Sequence, residues 1–110
     1  MKSDVVMESQ RNQQLGIDEL IGDKRDEVLR LADKYGAYNV RVFGSVARGE
    51  ATSTSDVDFL VDLHAGATIF DLIGLWQDLT ELLEREVDVS TEKELKPRIR
   101  SNALKDAVPV

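Results

Sequence analysis

The chain has 110 residues and a formal net charge of −7 at pH 7, with 42% hydrophobic and 32% charged residues. This balance predicts one folded domain, and the acidic excess disfavours autonomous nucleic-acid binding because phosphates would be repelled. The sequence has no cysteine, which excludes disulfides, thiolate metal sites and a cysteine nucleophile. No apolar run approaches the ~20 residues that span a bilayer, and the polar start lacks a signal-peptide core, so we expect a soluble cytoplasmic protein.

The first predicted unit is a polar N-terminal extension over residues 1–22, either flexible or helical. A single domain is expected to follow over residues 23–110. It begins with a predicted helix over residues 23–35, whose apolar residues recur at steps of three and four: Val28, Leu31, Ala32 and Tyr35. Gly36 then offers a stop for this helix.

Two strands are predicted next, each from an alternation of apolar and polar residues. The segment YNVRVF predicts a strand that ends at Gly44 and buries Tyr38, Val40 and Val42. The segment VDFLVDL, residues 57–63, predicts a second strand. One face of it would carry Asp56, Asp58, Leu60 and Asp62.

The second half of the chain predicts a helix, a strand and a final helix. Residues 68–85 follow the helical period despite Gly74, and Trp76 is expected to face the core or a partner protein. The segment EVDVS, residues 86–90, predicts a short strand in which flanking valines partly bury Asp88. Pro97 suits the first turn of the last helix. That helix would bury one apolar face: Ile99, Ala103, Leu104 and Ala107.

The turn between the first two strands has features of a phosphate site. Gly44 lets the backbone approach a ligand closely, and Ser45 adds a hydroxyl to the unpaired amides at the start of a helix. Arg48, three residues later, would add a planar cationic group suited to a polyphosphate. The turn therefore predicts binding of phosphate oxygens.

Asp56 and Asp58 predict a metal site on the same face of the second strand. Their alpha carbons would be about 6.6 to 6.8 Å apart. Two neighbouring carboxylates repel each other, which raises the pKa of one of them unless a cation lies between them. Carboxylate oxygens favour Mg²⁺ or Mn²⁺. A phosphate-binding turn beside a metal site indicates a bound metal–nucleotide complex.

The pattern Gly44-Ser45, ten residues, and then Asp56-x-Asp58 resembles the signature of the DNA polymerase beta nucleotidyltransferase superfamily. The longer stretch RVFGSVARGEATSTSDVDFLV resembles its minimal nucleotidyltransferases, the MNT proteins of prokaryotes, which are usually paired with a HEPN-domain partner. The resemblance covers residues 23–110. It implies an α/β (α+β) fold in which helices flank a short mixed β-sheet.

The resemblance also implies a role for each motif residue. Gly44 and Ser45 would hold the terminal phosphates of ATP, and Arg48 would contact them. Asp56 and Asp58 would bind two Mg²⁺ ions, with Mn²⁺ as an alternative. Asp88 would bind one of these ions and help to deprotonate the acceptor hydroxyl.

The function implied by the resemblance is transfer of AMP from ATP to a protein hydroxyl, with release of pyrophosphate. The chain would act as an antitoxin that adenylylates and neutralises a HEPN-type toxin in a hetero-oligomer. Two alternatives stay open at this point. One is an antitoxin that neutralises its partner by binding alone, and the other is a nucleotidyltransferase that modifies a small molecule.

Overall fold

A computed structural model describes residues 14–110, which form a four-stranded mixed sheet flanked by helices. The strands are β1 (Ala37–Phe43), β2 (Val57–Leu63), β3 (Val87–Ser90) and β4 (Val108–Pro109). The helices are α1 (Ile17–Leu20), α2 (Arg25–Lys34), α3 (Gly44–Ala47), α4 (Ile69–Leu83) and α5 (Pro97–Asp106), with single 3₁₀ turns at Gly22–Lys24 and Glu92–Glu94. None of the described helices is long and apolar enough to cross a membrane.

The strand order in the sheet is β3-β2-β1-β4. β2 pairs antiparallel with β1 and parallel with β3, and β4 pairs antiparallel with the other edge of β1. This mixed sheet confirms the predicted fold class, and the three predicted strands and the predicted helices are all present. β4 was not predicted, because a two-residue strand that includes proline carries no alternation to detect.

The main hydrophobic core lies between one face of the sheet and the helices α2 and α4. Its helical side chains occupy one stripe of each helix: Val28, Ala32, Leu72, Leu75, Leu79 and Leu83. Gly74 lies where α4 approaches α2, and a β-carbon there would be 2.5 Å from the ring of Tyr35. Close packing of the two helices therefore explains the glycine inside α4.

The start of β1 differs from the prediction that Tyr38 is buried with Val40 and Val42. Asn39 has a positive φ of 51°, and the pairing register of β1 with β2 shifts between Tyr38 and Arg41. The extra residue reverses the alternation, so Ala37 is buried and Tyr38 is exposed. The prediction for Tyr38 was therefore wrong, whereas Val40 and Val42 are buried.

The second face of the sheet carries Leu60, which is fully buried outside the main core cluster. By strand alternation Leu60 shares this face with the aspartates of β2, and α5 packs against the sheet with Ala103 buried. The prediction that Ile99 and Leu104 are also buried was wrong, because they are 48% and 43% exposed. The small side chain of Ala103 lets the backbone of α5 approach the sheet closely.

The described segment ahead of α2 packs against the domain, and Leu15, Ile17 and Leu20 contact the main core. Leu15 and Ala51 exchange backbone hydrogen bonds of 2.7 and 3.0 Å, and Ile21 is buried in the main core. Leu15 and Ile21 both fall within the segment that the sequence assigns to an extension. The division of the chain at residue 22 remains a proposal, and residues 1–13 of that extension lie outside the described residues.

Candidate active site

The sheet brings the predicted phosphate turn close to two of the predicted acids, Asp58 and Asp88, where β1 ends and β2 and β3 begin. β1 ends at Phe43, which is paired across the antiparallel ladder with Asp58 near the start of β2. Asp58 is in turn paired with Asp88 in the parallel ladder between β2 and β3. Neighbouring strands are about 4.8 Å apart, and paired residues point to the same face. Gly44, Asp58 and Asp88 therefore meet at one place.

Gly44 is packed against the carboxylate of Asp58, the residue that pairs with Phe43 in the sheet. Its φ is +72°, in the left-handed region that favours glycine, and a β-carbon there would lie 2.8 Å from Oδ2 of Asp58. The turn thus requires glycine for two independent reasons. The sequence predicts glycine here for close approach to a ligand, and the structure adds close approach to Asp58.

The three predicted acids differ in exposure. Asp56 lies in the loop immediately before β2 and is exposed, whereas Asp58 is half-buried. Asp88 is exposed, so the expectation that flanking valines would partly bury it was wrong. Val87 and Val89 point to the opposite face of β3, into the main core, and β3 is an edge strand of the sheet.

Charge repulsion at the site acts on Asp58. Burial of this carboxyl, together with the negative charges of Asp88 and Asp56, raises its pKa to about 6 from the ordinary value of 3.8. No lysine or arginine within residues 14–110 forms an ion pair with any of the three acids. The expected repulsion between neighbouring carboxylates is therefore present, and it falls on the most buried one.

The donor set fits a hard divalent cation. Three carboxylates supply oxygen ligands only, and a cation near Asp58 would lower its pKa, which burial and the charges of Asp88 and Asp56 raise. As the side chains stand, no three acidic or imidazole groups in the described chain are close enough to enclose an ion. Asp56 and Asp88 are both exposed, and rotation of their side chains would let the three acids close around an ion.

Ser45 stands at the start of α3, immediately after Gly44. No described residue forms a hydrogen bond with its hydroxyl, which leaves this group available to a ligand. The loop from α3 to β2 is anchored by the backbone pairing of Ala51 with Leu15. Hydroxyl groups of Thr52, Thr54 and Ser55 bond one another within that loop.

Arg48 lies close to the turn, but its guanidinium is bound to two carboxylates. Its Nε donates to Glu50 at 2.9 Å, and its Nη1 donates to Asp106 of α5 at 2.7 Å. It lines a cavity of about 550 Å³ that includes none of the three predicted acids. Phosphate contact by Arg48 stays a prediction, and it would require release of Asp106 or Glu50.

Two further residues support the site and were not predicted. Arg85 donates from Nη1 to the carbonyl of Ser55 at 3.1 Å, which fixes the backbone next to Asp56. Ser90 is buried and donates a long hydrogen bond of 3.4 Å to Asp88. Strand alternation in VDVS would have placed Ser90 beside Asp88, but no sequence signal links Arg85 to Ser55 thirty residues away.

Comparison with known proteins gives a family match. Residues 25–110 match the family model described as nucleotidyltransferase domain. The chain is 36% identical over 90 residues to a candidate protein adenylyltransferase, MJ0435, of Methanocaldococcus jannaschii, covering 82% of this chain and 97% of that one. It is 38% identical over 80 residues to protein adenylyltransferase MntA of Thermococcus cleftensis, covering 73% and 81% respectively.

Solved structures share the fold. A structure described as a candidate minimal nucleotidyltransferase is 43% identical with a TM-score of 0.75, covering 87% of this chain and 97% of that chain. A toxin–antitoxin crystal structure with AMP-PNP has a TM-score of 0.65 at 17% identity, covering 76% of this chain and 69% of that chain. At that identity the likeness shows the fold alone.

Proposed function

The chain belongs to the nucleotidyltransferase domain family, and from this premise we propose that it transfers AMP from ATP to a protein hydroxyl and releases pyrophosphate. The acceptor that we propose is a HEPN-type toxin, which the modification would neutralise, so that the chain acts as its antitoxin. The relatives named protein adenylyltransferase support a protein acceptor. A cytoplasmic location is part of this proposal.

One observation carries the proposal: Asp58 and Asp88 are paired beside the phosphate-type turn, Asp56 lies in the adjoining loop, and no lysine or arginine within residues 14–110 forms an ion pair with any of the three. Asp58 is half-buried with its pKa raised to about 6, so the folded protein maintains this cluster at a cost in stability. Structural acids in folded proteins are usually paired or fully solvated. An acid without a cationic partner, whose pKa is perturbed by burial and by neighbouring charges, is a candidate active-site residue.

We assign each site residue a role in this reaction. Gly44 and Ser45 would receive the terminal phosphates of ATP, because the glycine keeps the approach open and the serine hydroxyl is available. Asp56, Asp58 and Asp88 would hold Mg²⁺, with two ions expected and Mn²⁺ as a substitute. Bound Mg²⁺ would polarise the α-phosphate and neutralise charge on the leaving pyrophosphate.

Asp88 is the best candidate for the general base. It is exposed, so a hydroxyl carried by another molecule can reach it, and the hydroxyl of Ser90 donates a long hydrogen bond of 3.4 Å to its carboxylate. The proton would pass from the acceptor hydroxyl to Asp88 as the oxygen attacks the α-phosphorus of ATP. The bond to pyrophosphate would break as the bond to the acceptor oxygen forms.

The alternative transferase functions differ in the molecule that accepts AMP. A small-molecule acceptor would need a pocket next to Asp88, but the cavity there is only about 220 Å³ and open to solvent. A nucleic-acid acceptor is disfavoured by the net charge of −7. A second polypeptide that brings its own hydroxyl fits the site best.

The neighbouring gene gives the first test of the proposed partner. A small helical protein with an Arg-x-x-x-x-His motif would strengthen the proposal, and its absence would weaken the case for a HEPN-type toxin. The decisive assay incubates this chain, Mg-ATP and that HEPN-domain protein, and measures the intact mass of the latter. We expect a gain of one or more AMP units that requires Mg²⁺.

The same assay separates catalysis from neutralisation by binding alone. Asp58→Asn should abolish the mass gain and the neutralisation of the toxin together. If Asp58→Asn still neutralises the toxin in cells, occlusion of the toxin explains the antitoxin effect. A matched wild-type sample with EDTA in place of Mg²⁺ should behave like the variant.

A further inference from the structure

Helix α4 has a second apolar face that the described chain leaves partly exposed. The buried stripe of α4 packs on the sheet, whereas four large apolar side chains on its outer side are 42% to 80% exposed: Ile69, Phe70, Ile73 and Trp76. We call these four residues the α4 strip. Contiguous exposed apolar patches on a folded domain usually mark protein interaction sites.

The α4 strip runs directly to the candidate base. A shallow groove of about 220 Å³ joins Ile69, Ile73 and Trp76 to Val89 and to Asp88 itself. The indole Nε1 of Trp76 donates to the carbonyl of Val87 at 2.6 Å, so the ring is held at the edge of β3. A rigid tryptophan in this position is a typical anchor for a protein partner.

We propose that the acceptor protein docks on the α4 strip, which places its hydroxyl beside Asp88. This inference rests on the proposed protein adenylyltransferase function and adds the surface that selects the acceptor. Binding energy from contacts away from the reacting atoms then serves to hold the hydroxyl in position. Catalysis and partner choice would share one groove.

The chemistry of the groove specifies its occupant. Its two ionisable lining residues are both acidic, Asp88 and Glu94, and the whole chain carries a net charge of −7. The occupant therefore presents an apolar surface with lysine or arginine at its rim, next to the acceptor hydroxyl. A second copy of this chain fits less well, because it brings the same negative charge and would cover Asp88.

Two single substitutions and a matched control test this docking surface. Ile69→Asp and Ile73→Asp each place a charge in the α4 strip, whereas Leu29→Asp places one on α2, where the leucine is 37% exposed. The probe is a purified HEPN-domain protein identified by the search of the neighbouring gene. Titration calorimetry measures its affinity and that of Mg-ATP, and thermal unfolding checks the fold of each variant.

We expect both strip variants to bind the HEPN-domain protein at least about tenfold more weakly, because a charge in an apolar interface must be desolvated. AMP transfer at limiting acceptor should fall by the same factor. Affinity for Mg-ATP should stay unchanged, and Leu29→Asp should match the wild type throughout. This pattern separates loss of docking from damage to the nucleotide site.

Three outcomes overturn the docking surface. They are wild-type affinity in both strip variants, no binding by the wild type, and a wild-type dimer that the strip variants dissociate without weakening acceptor binding. A fourth outcome concerns the proposed function alone. If the wild type binds the HEPN-domain protein without transferring AMP, and the strip variants weaken that binding, the surface stands and the enzymatic proposal fails.

Discussion

Asp58 and Asp62 lie four residues apart on the same face of β2, yet their surroundings are opposite. Asp62 accepts hydrogen bonds from Arg41 at 3.1 Å and from Asn39 at 3.0 Å. Arg41 also pairs with Glu92 at 3.6 Å, so one cation serves two acids at that end of the strand. Asp58 has two acids as neighbours and no lysine or arginine partner within residues 14–110.

This difference indicates which acids serve the fold and which serve a ligand. The chain pairs a carboxylate with a cation at one end of β2, so the same sheet could have accommodated a pair at the other end. Leaving Asp58 unpaired costs stability, and such local costs are expected at functional sites. A cation from solution would bind at the end of β2 that carries Asp58.

The largest expected effect separates the two aspartates by activity. Asp58→Asn should lower AMP transfer by ~10³-fold or more, because a lost metal ligand removes several kcal/mol of transition-state stabilisation. Asp62→Asn should keep activity within about twofold, since within residues 14–110 the carboxylate of Asp62 accepts hydrogen bonds from Arg41 and Asn39, at the other end of β2 from Asp58. Rates are measured by intact mass of the acceptor. Equal losses in the two variants would contradict the assignment.

Substitution of Gly44 tests how closely the phosphate turn is packed against Asp58, at the end of β2 that has no ion pair among the described residues. Gly44→Ala should lower activity by about 100-fold, because its β-carbon would displace the Asp58 carboxylate. Gly49→Ala is the matched control, since Gly49 has the same φ of +72° but no atom within 4 Å of an added β-carbon. Both variants should lose about 1–2 kcal/mol of stability from backbone strain. Only Gly44→Ala should lose activity.

Removal of the Arg41 guanidinium should leave Asp62, like Asp58, without an arginine partner among the described residues. Arg41→Met deletes the partner of Asp62 and Glu92 and keeps most of the apolar length of the side chain. We expect the free energy of unfolding to fall by about 1–2 kcal/mol, with activity preserved. Urea denaturation measures this loss. Arg41→Lys is the control and should recover part of it.

The smallest effect is a pH dependence of stability in the metal-free protein. The pKa of Asp58 is about 6 when folded and 3.8 as its ordinary value, so the folded state holds the proton more tightly. Stability should therefore fall as pH rises from about 4 to about 6 and stay at the lower level above that range. Because Asp58 is only half-buried, we expect a loss of roughly 1 kcal/mol.

This pH dependence is measured as the difference between two proteins in EDTA. The free energy of unfolding of the wild type minus that of Asp58→Asn isolates the titration of Asp58 from that of the other acids of the chain. The difference should change over pH 4 to 6 and be flat from pH 7 to 8. A flat difference over the whole range would mean that the carboxyl of Asp58 is not destabilised in the folded protein.

Much of the site could be predicted because it lies on regular strands. Alternation in VDFLVDL places Asp58 on the face opposite Phe59, and the structure agrees. The short helix after Gly44 and the strand that carries Asp88 were predicted correctly. These features depend on local sequence, which determines the period of an element and the chemistry of its turns.

Features that depend on pairing between distant segments could not be predicted. The contact of Gly44 with Asp58 follows from the β1–β2 register, which the sequence does not specify. The exposure of Asp88 follows from the place of β3 at the sheet edge. In α4, apolar residues recur on both sides of the helix, so periodicity could not tell the buried stripe from the α4 strip.

The ten residues between Ser45 and Asp56 are held at two points by residues from elsewhere in the chain. Leu15 forms backbone hydrogen bonds with Ala51, and Arg85 donates a hydrogen bond to the carbonyl of Ser55; we call these two attachments the clamps. Anyone who transplants the catalytic motif into another scaffold would therefore have to carry both clamps along, although neither belongs to the contiguous motif. Insertions should be best tolerated at Ser53, the exposed tip between the two clamps, where they would leave the distance from turn to acids unchanged.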